Sequence, residues 1–204
     1  MVALCSLVVC ARIAHQLDLV YFGKLASSDG AIRHGGDERE GDEKGDDEKI
    51  FLQLGRIHPA VKYIGFVINS YSGQELDDVK DASCHLFDHS TCRDLASFRL
   101  TNCKMLDKHT ALVLGMLFRD GPEWGFEIIS EAAQGRTAVD NVDELQNFIK
   151  RRPNTALPPA RLPPGQGQGM LSRAAAAGVG LARTLSGRLL GGGQAPVVTA
   201  VPIV

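Results

Sequence analysis

No aspartate or glutamate follows Glu144. From there the chain carries Lys150, Arg151, Arg152, Arg161, Arg173, Arg183 and Arg188, or +7, so with a net charge of −2 residues 1–144 hold −9. An acidic body with a basic tail points away from nucleic acid as a partner of the body. It leaves the tail a weak contact with anionic membrane or acidic protein surfaces. Long apolar runs are missing too. MVALCSLVVCARIA, residues 1–14, is too short to span a bilayer, and it lacks the basic n-region of a secretory signal. It is expected to be a buried strand at the start of the domain. Cysteines are few and odd in number: Cys5, Cys10, Cys84, Cys92 and Cys103. Without regular spacing they do not form a disulfide framework, which implies a reducing, cytoplasmic setting. Neither a Gly-x-Ser-x-Gly elbow nor a GxxxxGK[ST] phosphate loop is present.

What is present in residues 17–150 is mostly strand signal. Ile50, Leu52 and Leu54 alternate with Phe51 and Gln53, and Ala82, Cys84 and Leu86 with Ser83, His85 and Phe87. Ala96, Phe98 and Leu100 repeat the pattern. VKYIGFVIN, residues 61–69, is apolar on both faces, as a central strand is. Ala111 to Arg119 and Trp124 to Ser130 flank a Gly-Pro turn and read as a hairpin. One helix is expected near residues 141–149. Asn141 would cap it, Glu144 would complete a capping box, and Val142, Leu145, Phe148 and Ile149 would form the apolar face. The fold class is therefore mostly β: a β-sandwich over residues 1–152 with a C-terminal amphipathic helix. Beyond Pro153, in residues 153–204, Pro, Gly, Ala and Ser dominate, and a disordered tail is expected.

The most unusual segment is GDEREGDEKGDDE, residues 36–48. From Asp37 to Glu48 eight carboxylates and two basic residues give −6 in twelve positions. Charges this dense repel one another. Either the loop stays solvated, or a hard dication neutralises it. Calcium accepts 6–8 oxygen ligands in irregular geometry and suits clustered carboxylates, while magnesium demands a stricter octahedron. Gly35, Gly36, Gly41 and Gly45 let the backbone turn its carbonyls inward. Strand Ile50–Leu54 is expected to anchor one end of the loop and Leu17–Leu25 the other. The segment is not an EF-hand, since Arg39 or Lys44 stands where the third loop position needs Asp or Asn.

SSDGAIRHGGDEREGDEKGDDEKIFLQL, residues 27–54, resembles the central signature of the TerD-type tellurium-resistance and stress-response family. VKYIGFVIN, VKDASCHLFD (residues 79–88) and TALVLGMLFRDGPEWGFEII (residues 110–129) match further family segments in order. The resemblance implies a calcium-binding β-sandwich with a stress-associated role and a protein partner. Carried over position by position, it implies Asp37, Asp46, Asp47 and Glu48 as acids of the metal site, with Asp29 and His34 at the loop's mouth. Lys44 and Glu43 depart from the family pattern. So does the N-terminal stretch, where no acid precedes Asp18 and the family has an Asp-x-Asp strand. Glu40, Asp42 and Glu43 are candidates to compensate.

Two rival constellations are weaker. Cys84, His85, His89 and Cys92 lack zinc-ligand spacing, and alternation puts Cys84 and His85 on opposite strand faces. Cys103 and His109 could form a hydrolase pair, yet no orienting group or oxyanion hole is evident. Trp124 is assigned to the core, Arg119 and Asp120 to a solvated turn, and Asp77 and Asp78 to a plain loop. The expectation is a non-enzymatic calcium-binding module, with a structural domain that has lost its metal site as the alternative.

Overall fold

The computed structural model describes residues 4–12, 17–36, 49–70, 72–78, 83–88, 93–99, 104–137, 139–151, 188–189 and 197–203. The strands are β1 (Leu4–Arg12), β2 (Leu17–Val20), β3 (Ile32–His34), β4 (Ile50–Gln53), β5 (Val61–Ser70), β6 (Ser83–Asp88), β7 (Arg93–Arg99), β8 (Ala111–Asp120), β9 (Glu123–Ala133), β10 (Arg188–Leu189) and β11 (Val197–Ile203). The helix α1 is Val142–Arg151. One sheet has the order β10-β9-β8-β5-β1-β2 and the other β3-β4-β11-β6-β7. Every pairing is antiparallel.

The sheets close over one core, as a β-sandwich does. Ile32, Ile50, Leu52 and Leu86 come from the second sheet; Ile64, Phe66, Ile68, Leu112, Leu114, Leu117, Trp124 and Phe126 come from the first. β5 lies between β1 and β8 in its sheet, and its two apolar faces are each covered by a separate cluster. Ile64, Phe66 and Ile68 face the sandwich interior, while Val67 joins Val113, Val142 and Leu145 beneath the helix. Gly65 belongs to the helix side: a Cβ there would sit 2.5 Å from Leu145 Cδ2, so glycine admits the leucine.

Leu114 is an extra residue in β8. Phe66 pairs with Gly115 and Val67 with Val113, skipping it. The ladder to β9 shifts at the same place, beside Ser130 at φ +53. The β8–β9 hairpin closes through Gly121 and Pro122. Gly121 has φ +61, and the negative φ imposed by Pro122 leaves the II′ form of the tight hairpin turn.

Three local expectations are corrected. The helix has no side-chain cap from Asn141. That residue is fully buried and reaches backwards: its Oδ1 accepts the Gly135 N–H (3.1 Å) and its Nδ2 donates to Thr137 O (3.4 Å). A short 3-10 turn, Val139–Asn141, leads into the helix, and Asp140 Oδ2 accepts the N–H groups of Arg136 and Thr137 before it. Arg119 is not a solvated turn residue. Its guanidinium lies 4.3 Å from the Trp124 ring centroid, its Nε donates to Val61 O (3.1 Å) and its Nη2 to Ile57 O (3.1 Å). Thirdly, β3 rather than Leu17–Leu25 leads into the acidic loop.

Of the stretch expected to be a disordered tail, only 188–189 and 197–203 are described, both as strands. Five of the seven residues of β11 are β-branched, which suits a pleated ladder despite the glycine-rich approach.

The candidate calcium-loop stem and nearby acids

The acidic loop leaves the second sheet between β3 and β4. His34 pairs with Ile50, and the Gly35 N–H donates to Lys49 O at 2.6 Å. The two ends of the loop are thus joined at a hydrogen-bonded neck. Gly35 allows this approach, since a Cβ there would meet Lys49 O at 3.1 Å and Phe51 at 3.4 Å. Gly36 then turns outward at φ +107, where an L side chain is strained. His34 is buried, and its Nδ1 accepts the Gly36 N–H at 3.1 Å. Asp37, Glu40, Asp42, Asp46, Asp47 and Glu48, six of the seven expected metal ligands, lie outside the described residues.

The seventh, Asp29, sits in the turn before β3. Its Oδ1 accepts from Ser27 Oγ (2.6 Å) and the Ala31 N–H (3.0 Å), and its Oδ2 from the His58 N–H (3.0 Å). Around it, the Ser27 N–H donates to Ile32 O and the His34 N–H to Leu25 O, both at 2.9 Å. Asp29 therefore ties the turn both to itself and to the loop after β4. Asp18, on β2, completes the region. Lys24 Nζ donates to its Oδ1 at 2.5 Å and the Ser28 N–H to its Oδ2 at 2.6 Å. Burial pushes the Asp18 carboxyl up, but these donors together outweigh it and hold the group below its ordinary value. The sequence reading missed the structural use of Asp18, which only the folded turn reveals.

A second acidic group was read from sequence as a plain loop. A short 3-10 turn brings Glu75, Asp77 and Asp78 together, each offering an oxygen within 4.8 Å of the others. Glu75 Oε2 also accepts the Lys108 N–H at 3.0 Å. Of the rival zinc set, His85 is described: it stacks on Phe87, and its Nδ1 lies 2.9 Å from Asp94 Oδ1. His89 and Cys92 lie outside the described residues, as does Cys103 of the proposed hydrolase pair. The ring Nδ1 of His109 lies 2.7 Å from Asp107 O. Trp124 is 4% exposed and belongs to the core.

The TerD domain family model matches residues 4–139. The chain belongs to the TerD domain family. It is 36% identical over 135 residues to the tellurium resistance protein TerZ of Serratia marcescens, covering 66% of this chain and 68% of that one. It is 30% identical over 144 residues to the stress response protein SCP2 of Bacillus subtilis, covering 69% and 68%. Among solved structures, a TerD homologue from Streptomyces coelicolor superposes with a TM-score of 0.54 at 17% identity, covering 67% of this chain and 82% of that one. That likeness speaks for the fold. Among the described residues no helix is long and apolar enough to cross a membrane.

Proposed function

We propose that this TerD-family chain is a cytoplasmic calcium-binding module of the tellurium-resistance and stress-response type, acting through calcium-dependent protein contact rather than catalysis. The observation that carries the reading is the closed neck at Gly35 and Lys49. A loop with −6 in twelve positions whose ends are joined cannot relieve its repulsion by straightening. Carboxylates are hard oxygen donors, and calcium tolerates the irregular set that Asp37, Glu40, Asp42, Asp46, Asp47 and Glu48 supply. The ion would supply charge neutralisation, and the neck would hold the loop's two ends in place. Leu25, 50% exposed beside His34, and Phe22, 40% exposed in the preceding turn, are candidates for the partner surface. The basic tail adds a weak membrane-surface contact.

Titration calorimetry of the full chain with calcium, against magnesium, tests the reading. Selective binding lost in the Asp46→Asn/Asp47→Asn double variant is the expected result. Absence of binding heat, with a melting temperature indifferent to calcium, would overturn it.

One observation favours a second reading, a scaffold without an ion. Asp29 already accepts three hydrogen bonds from the protein, and Asp18 is held by Lys24 and Ser28. In that case the same double variant, by removing repulsion, raises stability without calcium and abolishes no calcium response.

A further inference from the structure

In the second sheet, β4 and β6 are not paired with each other; β11 lies between them. Val197–Ala200 run opposite Gln53–Ile50, and Val198–Ile203 opposite Asp88–Ser83. On its other side β4 pairs with β3, the partner strand of the acidic-loop stem. Among the described strands, β11 is therefore the in-sheet link between that stem and β6-β7. The family match ends at residue 139, well before β11, and residues 152–196 separate β11 from the helix. A strand from outside the family domain thus occupies an interior position of a family sheet.

We infer that the gap between β4 and β6 is a strand-accepting site for an extended, uncharged, β-branched segment, that the chain fills it with its own residues 197–203, and that this occupancy holds the stem of the acidic loop in the sheet. Without an occupant, β4 and β6 each present a row of unpaired N–H and C=O groups. The segment APVVTAVPIV, residues 195–204, carries no charge. Pro202 lies past Ala200, the last residue opposite β4, so it removes no donor from that pairing, although it still faces Cys84 on β6. Closure within one chain is favoured over exchange with a second copy. The cost of closing a connecting segment grows slowly with its length, and the tethered strand has an effective concentration on the order of millimolar.

Amide hydrogen exchange on the full chain without calcium tests this, so failure of the ion reading leaves the result intact. In the unmodified chain, amides of Val198 to Val201 should exchange slowly, together with those of β4 and β6. The Val198→Pro/Thr199→Pro variant removes one donor toward each neighbour, because successive N–H groups point to opposite sides of a strand. Exchange in β4 and β6 should then speed up about tenfold or more, while Ile64, Val67 and Leu117 keep their protection. A synthetic peptide of residues 195–204 added in excess should slow it again. The inference is overturned if residues 198–201 of the unmodified chain exchange as fast as that free peptide, a result that stands even if the proline variant fails to fold. It is also overturned if β4 and β6 are unaffected in a folded proline variant.

Discussion

The Gly35 N–H and the Lys49 carbonyl meet at 2.6 Å, which places the two ends of a strongly acidic loop side by side at the end of the β3–β4 pair. The loop's charge is a property of the sequence; its closure depends on this contact and on the glycine that permits it. Gly36, the next residue, has φ +107 with open space around its Cα. Gly36→Ala should therefore cost stability through backbone strain alone, about 1–3 kcal/mol in urea unfolding. A cost near zero would mean that the neck relaxes.

Asp29 is expected to matter without any ion. Asp29→Ala removes acceptors for Ser27, Ala31 and His58 and should destabilise the calcium-free chain by about 1–3 kcal/mol. If the variant matches the parent in stability but binds calcium less well, Asp29 is a ligand first and a turn residue second.

Gly65 and Leu145 form a testable pair beneath the helix. Gly65→Ala forces its Cβ against Leu145 and should cost about 1–3 kcal/mol. Leu145→Ala opens a cavity and should cost about 2–5 kcal/mol. Because the new methyl fills part of that cavity, the double variant should lose less than the sum, and a thermodynamic cycle measures the difference. Strict additivity would place the helix elsewhere.

Two carboxyls give opposite pH signatures. Asp18 titrates below its ordinary value when folded, so its contribution is present above the unfolded pKa and is lost as pH falls through the folded one. Asp18→Asn should be less stable at pH 7 and lose less on acidification toward pH values below about 4. Glu144 is the reverse. Burial pushes its carboxyl up, with Asp143 and Glu131 adding to the effect, and its Oε2 is buried with no hydrogen-bond partner among the described residues. Its raised folded value means that the folded state is penalised as pH rises past the unfolded pKa. Glu144→Gln should therefore raise the melting temperature at pH 7, and that gain should vanish at pH 3. A gain that persisted at pH 3 would trace to packing instead of charge.

The strands that alternate or are apolar throughout were readable from the chain: β4, β5, β6 and the β8–β9 hairpin fall where period and turn residues put them. So did the helix, because the 3.6-residue repeat of Val142 and Leu145 survives in its buried face. Three-residue β3 was not readable. It is too short for a period to register, and its strand state depends on pairing with β4 and on the Asp29 turn behind it. Asn141 was misassigned for a related reason. A cap residue and a residue buried to satisfy Gly135 look alike in one dimension, and only the returning chain provides the partner.

By itself the sequence determined the β class and the apolar faces, and it carried the family resemblance and a loop of dense negative charge. The class, the faces and the loop's charge follow from local composition and periodicity, which act over a few residues; the family follows from matching segments that recur in order along the chain. The tertiary structure decided which strand holds the loop, that Asp18 and Asp29 are bound by protein donors, that Arg119 rests on Trp124, and that β11 sits between β4 and β6. Each of those is a contact between residues distant in the chain or across a turn. Its existence depends on where the backbone places a donor, and no local pattern carries that information.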